Sequence, residues 1–372
     1  MHVSCDLPVI YLVDPSVAVT GAFVCARNIA QALEGRARVV LVLPTHSAIN
    51  PEDTIPFAAV RRLPIRPLRR SVGAILAYVP ALAVASVALR WLMWRDKALI
   101  LIVNDFYLMH GSICRLLGFR GRLLTWVRID PGVFGPLPSW LWLRLAALSS
   151  DRLIAVSRHI QGRLPRGLRT ELLYDSLDPL PPSAPPDAAA NRFVFVGNYI
   201  AGKGQDHAIE AFAALSDDHP QLSLHFYGGD MGLPRNQLYR SALAARVREL
   251  GLQKRIFLHG FASEPNAALS GALAALNFSN GESFSMAVLE AQGAGLPVIA
   301  TRSGGPAEIM RDGKTGMLVE VADIAAMTEA MRVLARDPIR AAAMGAAGRT
   351  RVAQFFSRDA FRNQLITLLS LP

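Results

Sequence analysis

Short runs of uninterrupted apolar residues recur through the first half of the chain, separated by stretches long enough for a helix. Val9-Ile-Tyr-Leu-Val13 is followed by a helix-like segment at 22–33 and then by Val39-Val-Leu-Val-Leu43. Strands apolar on both faces that alternate with helices belong to a parallel sheet covered on both sides. The same pattern predicts strands at 99–103, 123–127 and 153–156. It restarts at Phe193-Val-Phe-Val196 and predicts a helix at 208–215, a strand at 222–227, a helix at 240–250 and strands at 256–258, 273–278 and 298–300. Between the two series lies Asp178-Pro-Leu-Pro-Pro-Ser-Ala-Pro-Pro186, an extended linker by composition, because proline fixes φ and supplies no backbone donor. Two βα-repeating halves imply an α/β protein of two doubly wound, Rossmann-like domains, residues 1–180 and 190–354, facing an interdomain cleft. Ligands of such sheets bind beyond the carboxyl ends of the strands. A last helix within 355–372 is expected to pack back on the first domain.

Residues 72–94 interrupt the alternation. This 23-residue run carries one charge, Arg90, and is flanked by Arg61, Arg62, Arg66, Arg69, Arg70, Arg95 and Lys97. It is long enough to cross a bilayer. A span here would place strands of one sheet on opposite sides of the membrane, and Pro80 is expected to interrupt the helix. A buried core helix and a segment lying in the membrane plane are the competing readings, the arginine cluster favouring the second because cations near an anionic leaflet add attraction.

Composition narrows the function classes. The 372 residues are 52% hydrophobic and 18% charged, which suits folded domains. The net charge of +10 is concentrated: residues 1–185 hold 21 basic and 12 acidic side chains. A one-sided positive field attracts nucleic acid, an anionic membrane or a phosphorylated substrate. Nucleic acid is disfavoured, since the basic residues at 61–70 and 163–169 lack interleaved aromatics. Cys5, Cys25 and Cys114 are widely spaced and odd in number, against a disulfide framework or thiolate cage and in favour of a reducing compartment. The N-terminus lacks the charge and apolar pattern of a secretory signal, so a cytoplasmic location is expected. No Asp-x-Asp pair occurs and the eight histidines are scattered, so no metal and no other cofactor is expected. The absence of Gly-x-Gly-x-x-Gly after the first strand argues against a nicotinamide dehydrogenase.

The most informative stretch is Gly281-Glu-Ser-Phe-Ser-Met-Ala-Val-Leu-Glu290. It combines a glycine-bearing loop, a capping serine at 283 or 285 and a helix from about 286 to 294. Unpaired N–H groups at a helix start form an anion site suited to a diphosphate. Glu282 precedes the helix and Glu290 lies one turn inside it, about 6 Å along the axis at 1.5 Å per residue. One carboxylate is placed for sugar hydroxyls and the other for ribose, the alternative being a surface carboxylate and an ordinary helix glutamate.

Several further blocks stand in order across 193–321: Phe195-Val-Gly-Asn-Tyr-Ile-Ala-Gly-Lys-Gly204, Phe226-Tyr-Gly-Gly229, Arg255-Ile-Phe-Leu-His-Gly-Phe261, Ser303-Gly-Gly-Pro-Ala-Glu308 and Gly313-Lys-Thr-Gly316. With the Glu282/Glu290 segment, this half resembles the donor domain of the retaining family-four glycosyltransferases of GT-B fold. The resemblance implies transfer of a sugar, expected to be a hexosyl group, from a nucleotide-sugar donor with anomeric configuration retained, and the basic, apolar first half points to a saccharide or lipid-linked acceptor in envelope or exopolysaccharide synthesis. It assigns Lys203 to the donor diphosphate and Glu282 to the transferred sugar. The backbone of Phe284, Ser285 and Met286 is assigned to the phosphates, Glu290 to the ribose and residues 257–261 to the base. Asn198, which the resemblance also assigns to the donor, stands where the family often has arginine. Val19-Thr-Gly-Ala-Phe23 resembles the family's glycine loop, where a side chain at Gly21 would block the donor phosphates. Thr125-Trp-Val-Arg-Ile-Asp-Pro131 lies where relatives carry a histidine near the reacting sugar, and Asp130 or Arg128 is the candidate replacement. His110 and His159 are expected to make local hydrogen bonds only. The charge and apolarity of the first half point to an anionic membrane surface as a partner, on its cytoplasmic face. A nucleotide-sugar epimerase of similar fold and a catalytically silent sugar-nucleotide binder are the alternative functions.

Overall fold

A computed structural model describes residues 7–66, 72–177, 191–262 and 265–371. Cys5, Arg69, Arg70 and the proline-rich segment from 178 lie outside the described residues. The chain divides into two compact units, Met1–Ser176 with Arg358–Pro372, and Leu177–Ser357.

The first unit is built on a parallel sheet of β1 (Val9–Val13), β2 (Arg38–Pro44), β3 (Ala59–Leu63), β4 (Ile100–Val103), β5 (Arg122–Val127), β6 (Arg152–Ala155) and β7 (Thr170–Leu172), in spatial order β3-β2-β1-β4-β5-β6-β7. Its helices are α1 (Gly21–Ala32), α2 (Val72–Arg95), α3 (His110–Leu116), α4 (Pro136–Ser149) and α5 (Arg158–Arg163). The central strands β1 and β4 are the apolar runs of the sequence. The edge strands β3 and β7 escape the apolar pattern because an edge meets solvent: Ala-Val-Arg-Arg-Leu carries two arginines and Thr-Glu-Leu a glutamate.

Pro80 does not interrupt α2, which runs unbroken from Val72 to Arg95. Pro80 is exposed, so its ring and its missing donor fall on the outer face. On the inner face Ala85, Leu89 and Met93 are buried with Tyr11, Val13, Leu101 and Val103 of the sheet. α2 is therefore the crossover between β3 and β4, and it packs on α3, which in turn packs on α4. The buried-core reading holds for one face only.

The carboxyl ends of β1, β4 and β5 meet in a buried polar cluster. Asn104 donates to Asp14 and accepts from Arg128 Nε, while Arg128 Nη1 holds both carboxylate oxygens of Asp175 at 3.0 and 2.9 Å. Burial pushes the Asp105 carboxyl up to about 7, although the backbone amides of Arg128 and Phe106 favour its ionised form.

The second unit carries β8 (Arg192–Val196), β9 (Ser223–Tyr227), β10 (Ile256–His259), β11 (Ala274–Asn277), β12 (Val298–Thr301) and β13 (Gly316–Val319), all parallel, in order β10-β9-β8-β11-β12-β13. Its helices are α6 (Gln205–Ser216), α7 (Pro234–Glu249), α8 (Pro265–Leu269), α9 (Met286–Gly293), α10 (Pro306–Ile309), α11 (Ile324–Arg336) and α12 (Pro338–Phe355). α6 packs on α7 and α11, and α9 on α10 and α12. Phe193, Phe195, Phe212, Phe226 and Phe278 form the centre of its core. The last helix, α13 (Arg358–Leu369), belongs to the first unit and packs on α1, where Arg358 donates to Gln31 at 3.0 Å.

His110 opens α3 and is 1% exposed, and neither ring nitrogen has a partner, which corrects the expectation of local hydrogen bonds. Burial lowers its pKa from 6.5 to about 4, so the folded state resists its protonation. Its contribution to stability is complete above 6.5 and is lost as pH falls through about 4. Chemical denaturation at pH 7.5 and pH 4.5 is expected to show a smaller acid-induced drop for His110→Phe than for the wild type; equal drops would count against this source.

Candidate functional site

The second unit gathers most of the residues singled out in the sequence at the carboxyl ends of β8, β11 and β12. After β8 the chain turns through Asn198 to Lys203 and Gly204 and enters α6. Gly204 has φ 86°, and a Cβ there would lie 2.1 Å from the carbonyl oxygen of Phe278, so only glycine lets this loop rest on the end of β11. Asn280 N–H then donates to the Gly202 carbonyl at 2.8 Å, tying the two loops together. Asn198 faces inward: its Oδ1 accepts from Gly229 N–H at 3.1 Å and its carbonyl accepts from Gln205 at 2.9 Å. In this geometry Asn198 clamps the β8 and β9 loops to each other, and it supplies no cation.

Lys203 Nζ donates to Glu282 Oε1 at 2.7 Å, and Ser279 Oγ donates to the same oxygen at 2.8 Å. The Glu282 side chain is 11% exposed and that of Lys203 34%. Both bonds reach Oε1, which leaves Oε2 to accept from a bound hydroxyl, while two of the three ammonium protons of Lys203 remain to be donated elsewhere. Glu282 is held in turn by its backbone, since its N–H donates to Ser303 and its carbonyl accepts from Gly305, both at 2.9 Å. A Cβ on Gly305 would lie 2.1 Å from the Phe284 carbonyl oxygen.

This close contact shapes the start of α9. Ser285 is its N-cap residue with φ 93° and ψ 88°, a conformation that costs a β-carbon-bearing residue about 1–3 kcal/mol. The expected serine cap is absent: the Ser285 hydroxyl makes no capping bond and accepts from Asn277 Nδ2 at 3.3 Å. The first intrahelical bond runs from Leu289 N–H to the Ser285 carbonyl, so the amides of Met286, Ala287 and Val288 have no acceptor within the helix. Phe284 turns its ring inward, 5.8 Å from that of Phe356. Glu290 is half-buried one turn inside α9. Phe257 is half-buried beside His225, whereas Phe261 is exposed beyond β10. Among the described residues no three His, Cys, Asp or Glu side chains cluster as a metal site.

Gly21 and Asp130 belong to the first unit. Gly21 is the exposed first residue of α1, whose cap is Thr20. Asp130 accepts from Gly132 N–H at 2.8 Å and pairs with Arg163 at 3.0 Å, so its carboxylate already anchors the turn Pro131–Phe134. Arg128 Nε is held by Asn104 and its Nη1 by Asp175. Sequence reasoning missed Ser279, Asn277 and the spacer role of Gly305. The available signal was polar residues closing an apolar strand at Asn277-Phe-Ser279.

The family model described as Glycosyl transferases group 1 matches residues 181–351. The GDP-mannose-dependent alpha-(1-6)-phosphatidylinositol monomannoside mannosyltransferase of Mycolicibacterium smegmatis is 32% identical over 268 residues, covering 63% of this chain and 68% of that protein. The chain belongs to the group 1 glycosyltransferases. The alpha-1,3/1,6-mannosyltransferase of Mus musculus is 33% identical over 181 residues, 46% of this chain and 43% of the mouse protein. The match thus spans less than half the length of the mouse glycosyltransferase. The crystal structure of HepE from Anabaena in complex with UDP and glucose aligns with a TM-score of 0.82 at 21% identity, over 97% of this chain and 99% of that one. The two sheets with their helices accordingly have the GT-B fold of these glycosyltransferases.

Gly305→Ala is expected to cost about 1–3 kcal/mol of stability through overpacking and to shift the 284–286 backbone. Differential scanning fluorimetry should show the lower midpoint, and titration with a nucleotide diphosphate a weaker affinity; an unchanged midpoint would show that the close contact is dispensable.

Proposed function

We propose that this glycosyltransferase moves a hexosyl group, with retention of configuration, from a nucleotide-sugar to a saccharide or lipid-linked acceptor in envelope or exopolysaccharide synthesis. It works without a metal ion, on the cytoplasmic side of an anionic membrane. The observation that carries the reading is the Lys203–Glu282 pair at 2.7 Å, the glutamate standing on the loop that leads into the α9 amides without an acceptor in the helix. A diphosphate at the start of α9 would meet those amides and the helix dipole, with the ammonium of Lys203 beside it. As the glycosidic bond to phosphate breaks, its electron pair passes to the phosphate oxygen, and fixed donors of this kind stabilise charge developing there. The acceptor hydroxyl attacks the anomeric carbon from the face the phosphate leaves, and its proton passes to the departing phosphate. Glu282 holds a hydroxyl of the transferred sugar through Oε2, and Glu290 holds the ribose.

The names of the relatives guide the choice of donor. The mycobacterial protein is named as GDP-mannose-dependent and HepE was crystallised with UDP and glucose, so both nucleotide-sugars belong in the first panel. Glu282→Ala is expected to abolish transfer and donor hydrolysis with an unchanged circular dichroism spectrum, and proton NMR of the product should show the donor's anomeric configuration. Full turnover by Glu282→Ala would remove this carboxylate from the reaction, and an inverted product would overturn retention.

A further inference from the structure

Thirteen of the nineteen large apolar side chains that are exposed among the described residues fall between residues 79 and 148, on α2, α3, α4 and the segments beside them. On α2 the exposed positions Val79, Pro80, Val84, Val87, Trp91 and Trp94 follow one another at helical spacing, opposite the buried Ala85, Leu89 and Met93. A crossover helix on a water-facing sheet carries polar residues on its outer face. α2 is apolar on both. α4 repeats the arrangement, with Leu137, Trp140, Leu141 and Leu148 exposed and Leu143 and Ala146 buried. Leu116 and Leu117 at the end of α3 are exposed between them in the packing order α2-α3-α4.

The charges around this face have one sign. Residues 72–150 contain eight Lys and Arg against three Asp and no Glu. Of the three acids, Asp105 is buried and Asp96 and Asp130 are each paired with an arginine. Lys97, Arg120 and Arg144 are exposed, and the guanidinium groups of Arg95 and Arg144 lie over the rings of Trp91 and Trp140 at 5.2 and 5.8 Å. Tryptophans 54%, 68% and 49% exposed at Trp91, Trp94 and Trp140, rimmed by cations, match the boundary between acyl chains and anionic headgroups.

We propose that the combined outer face of α2, α3 and α4 is an in-plane docking surface for an anionic lipid bilayer. The exposed stripe from Pro80 to Trp94 is about 21 Å long, enough to lie along the interface, and the buried inner face holds α2 on the sheet and out of a spanning orientation. A second copy of the same face would set two cationic rims against each other, which repels. In a parallel sheet the connecting helices start at the carboxyl ends of the strands, so Val79, Val133 and Leu137 mark the end of the face nearest the sheet's ligand-binding edge. This deepens the glycosyl-transfer reading, on which it rests for its consequence: the acceptor is lipid-linked and reaches the first unit from the bilayer.

The test uses the full chain, with vesicles of phosphatidylcholine alone and of phosphatidylcholine mixed with phosphatidylglycerol. The wild type is expected to sediment with the anionic vesicles and to shift its tryptophan emission to the blue. The combined variant Trp91→Gln, Trp94→Gln, Trp140→Gln is expected to lose about tenfold or more in partitioning, since three large apolar groups are removed. The combined variant Lys97→Gln, Arg120→Gln, Arg144→Gln is expected to lose the preference for anionic lipid. A wild type left in the supernatant with both vesicles, or a tryptophan variant that sediments like the wild type, overturns the proposal. So does a wild-type dimer in sedimentation velocity that the tryptophan variant dissolves. Titration of GDP-mannose and UDP-glucose into wild type and variants separates the two readings: docking can fail while donor binding persists, and the reverse.

Discussion

At Gly305 the backbone of Phe284 comes so close that no side chain fits between them, and the geometry of the candidate site follows from that contact. Where the two segments touch, Glu282 forms hydrogen bonds to Ser303 and Gly305 through its main chain, and its carboxylate is delivered to Lys203. Ser285 is then forced into a left-handed conformation, and α9 begins at Met286 with three amides unsatisfied. A second glycine contact, Gly204 on Phe278, brings the lysine loop to the same place. The ion pair is thus a product of two backbone approaches, each of which tolerates one residue type.

The first unit is organised by a different constraint. Its three central strands end in Asp14, Asn104 and Arg128, all buried, and the interior charge of the arginine is met at closest range by the carboxylate of Asp175. The cluster fixes the strand ends relative to one another. The same chemistry occupies Nε and Nη1 of Arg128, one of the candidates for the place of the histidine, with Asn104 and Asp175.

Much of the fold was legible. Apolar runs such as 39–43 and 298–300 are buried on both sides, so their composition alone marks them as interior parallel strands. Edge strands β3 and β7 were not, because solvent on one side permits arginine and glutamate. Pro80 misled, since a rule about the interior of a helix does not carry over to an outward position where the lost hydrogen bond meets no packed neighbour. In the site, Lys203 and Glu282 were legible through ordered motifs flanking a helix start. The inward turn of Asn198 and the hydroxyl of Ser279 on Glu282 depend on contacts between segments 31 and 3 residues apart that no spacing rule reveals. The capping rule failed at Ser285 because tertiary crowding sets its φ.

The helix α13 is the last of the described elements, whereas its partner α1 is the first of the described helices. During synthesis the apolar surface of α1 that receives α13 must therefore wait, uncovered, while the entire second unit emerges and folds. The first unit is consequently completed last, and for this chain the order of translation and the order of maturation run in opposite directions.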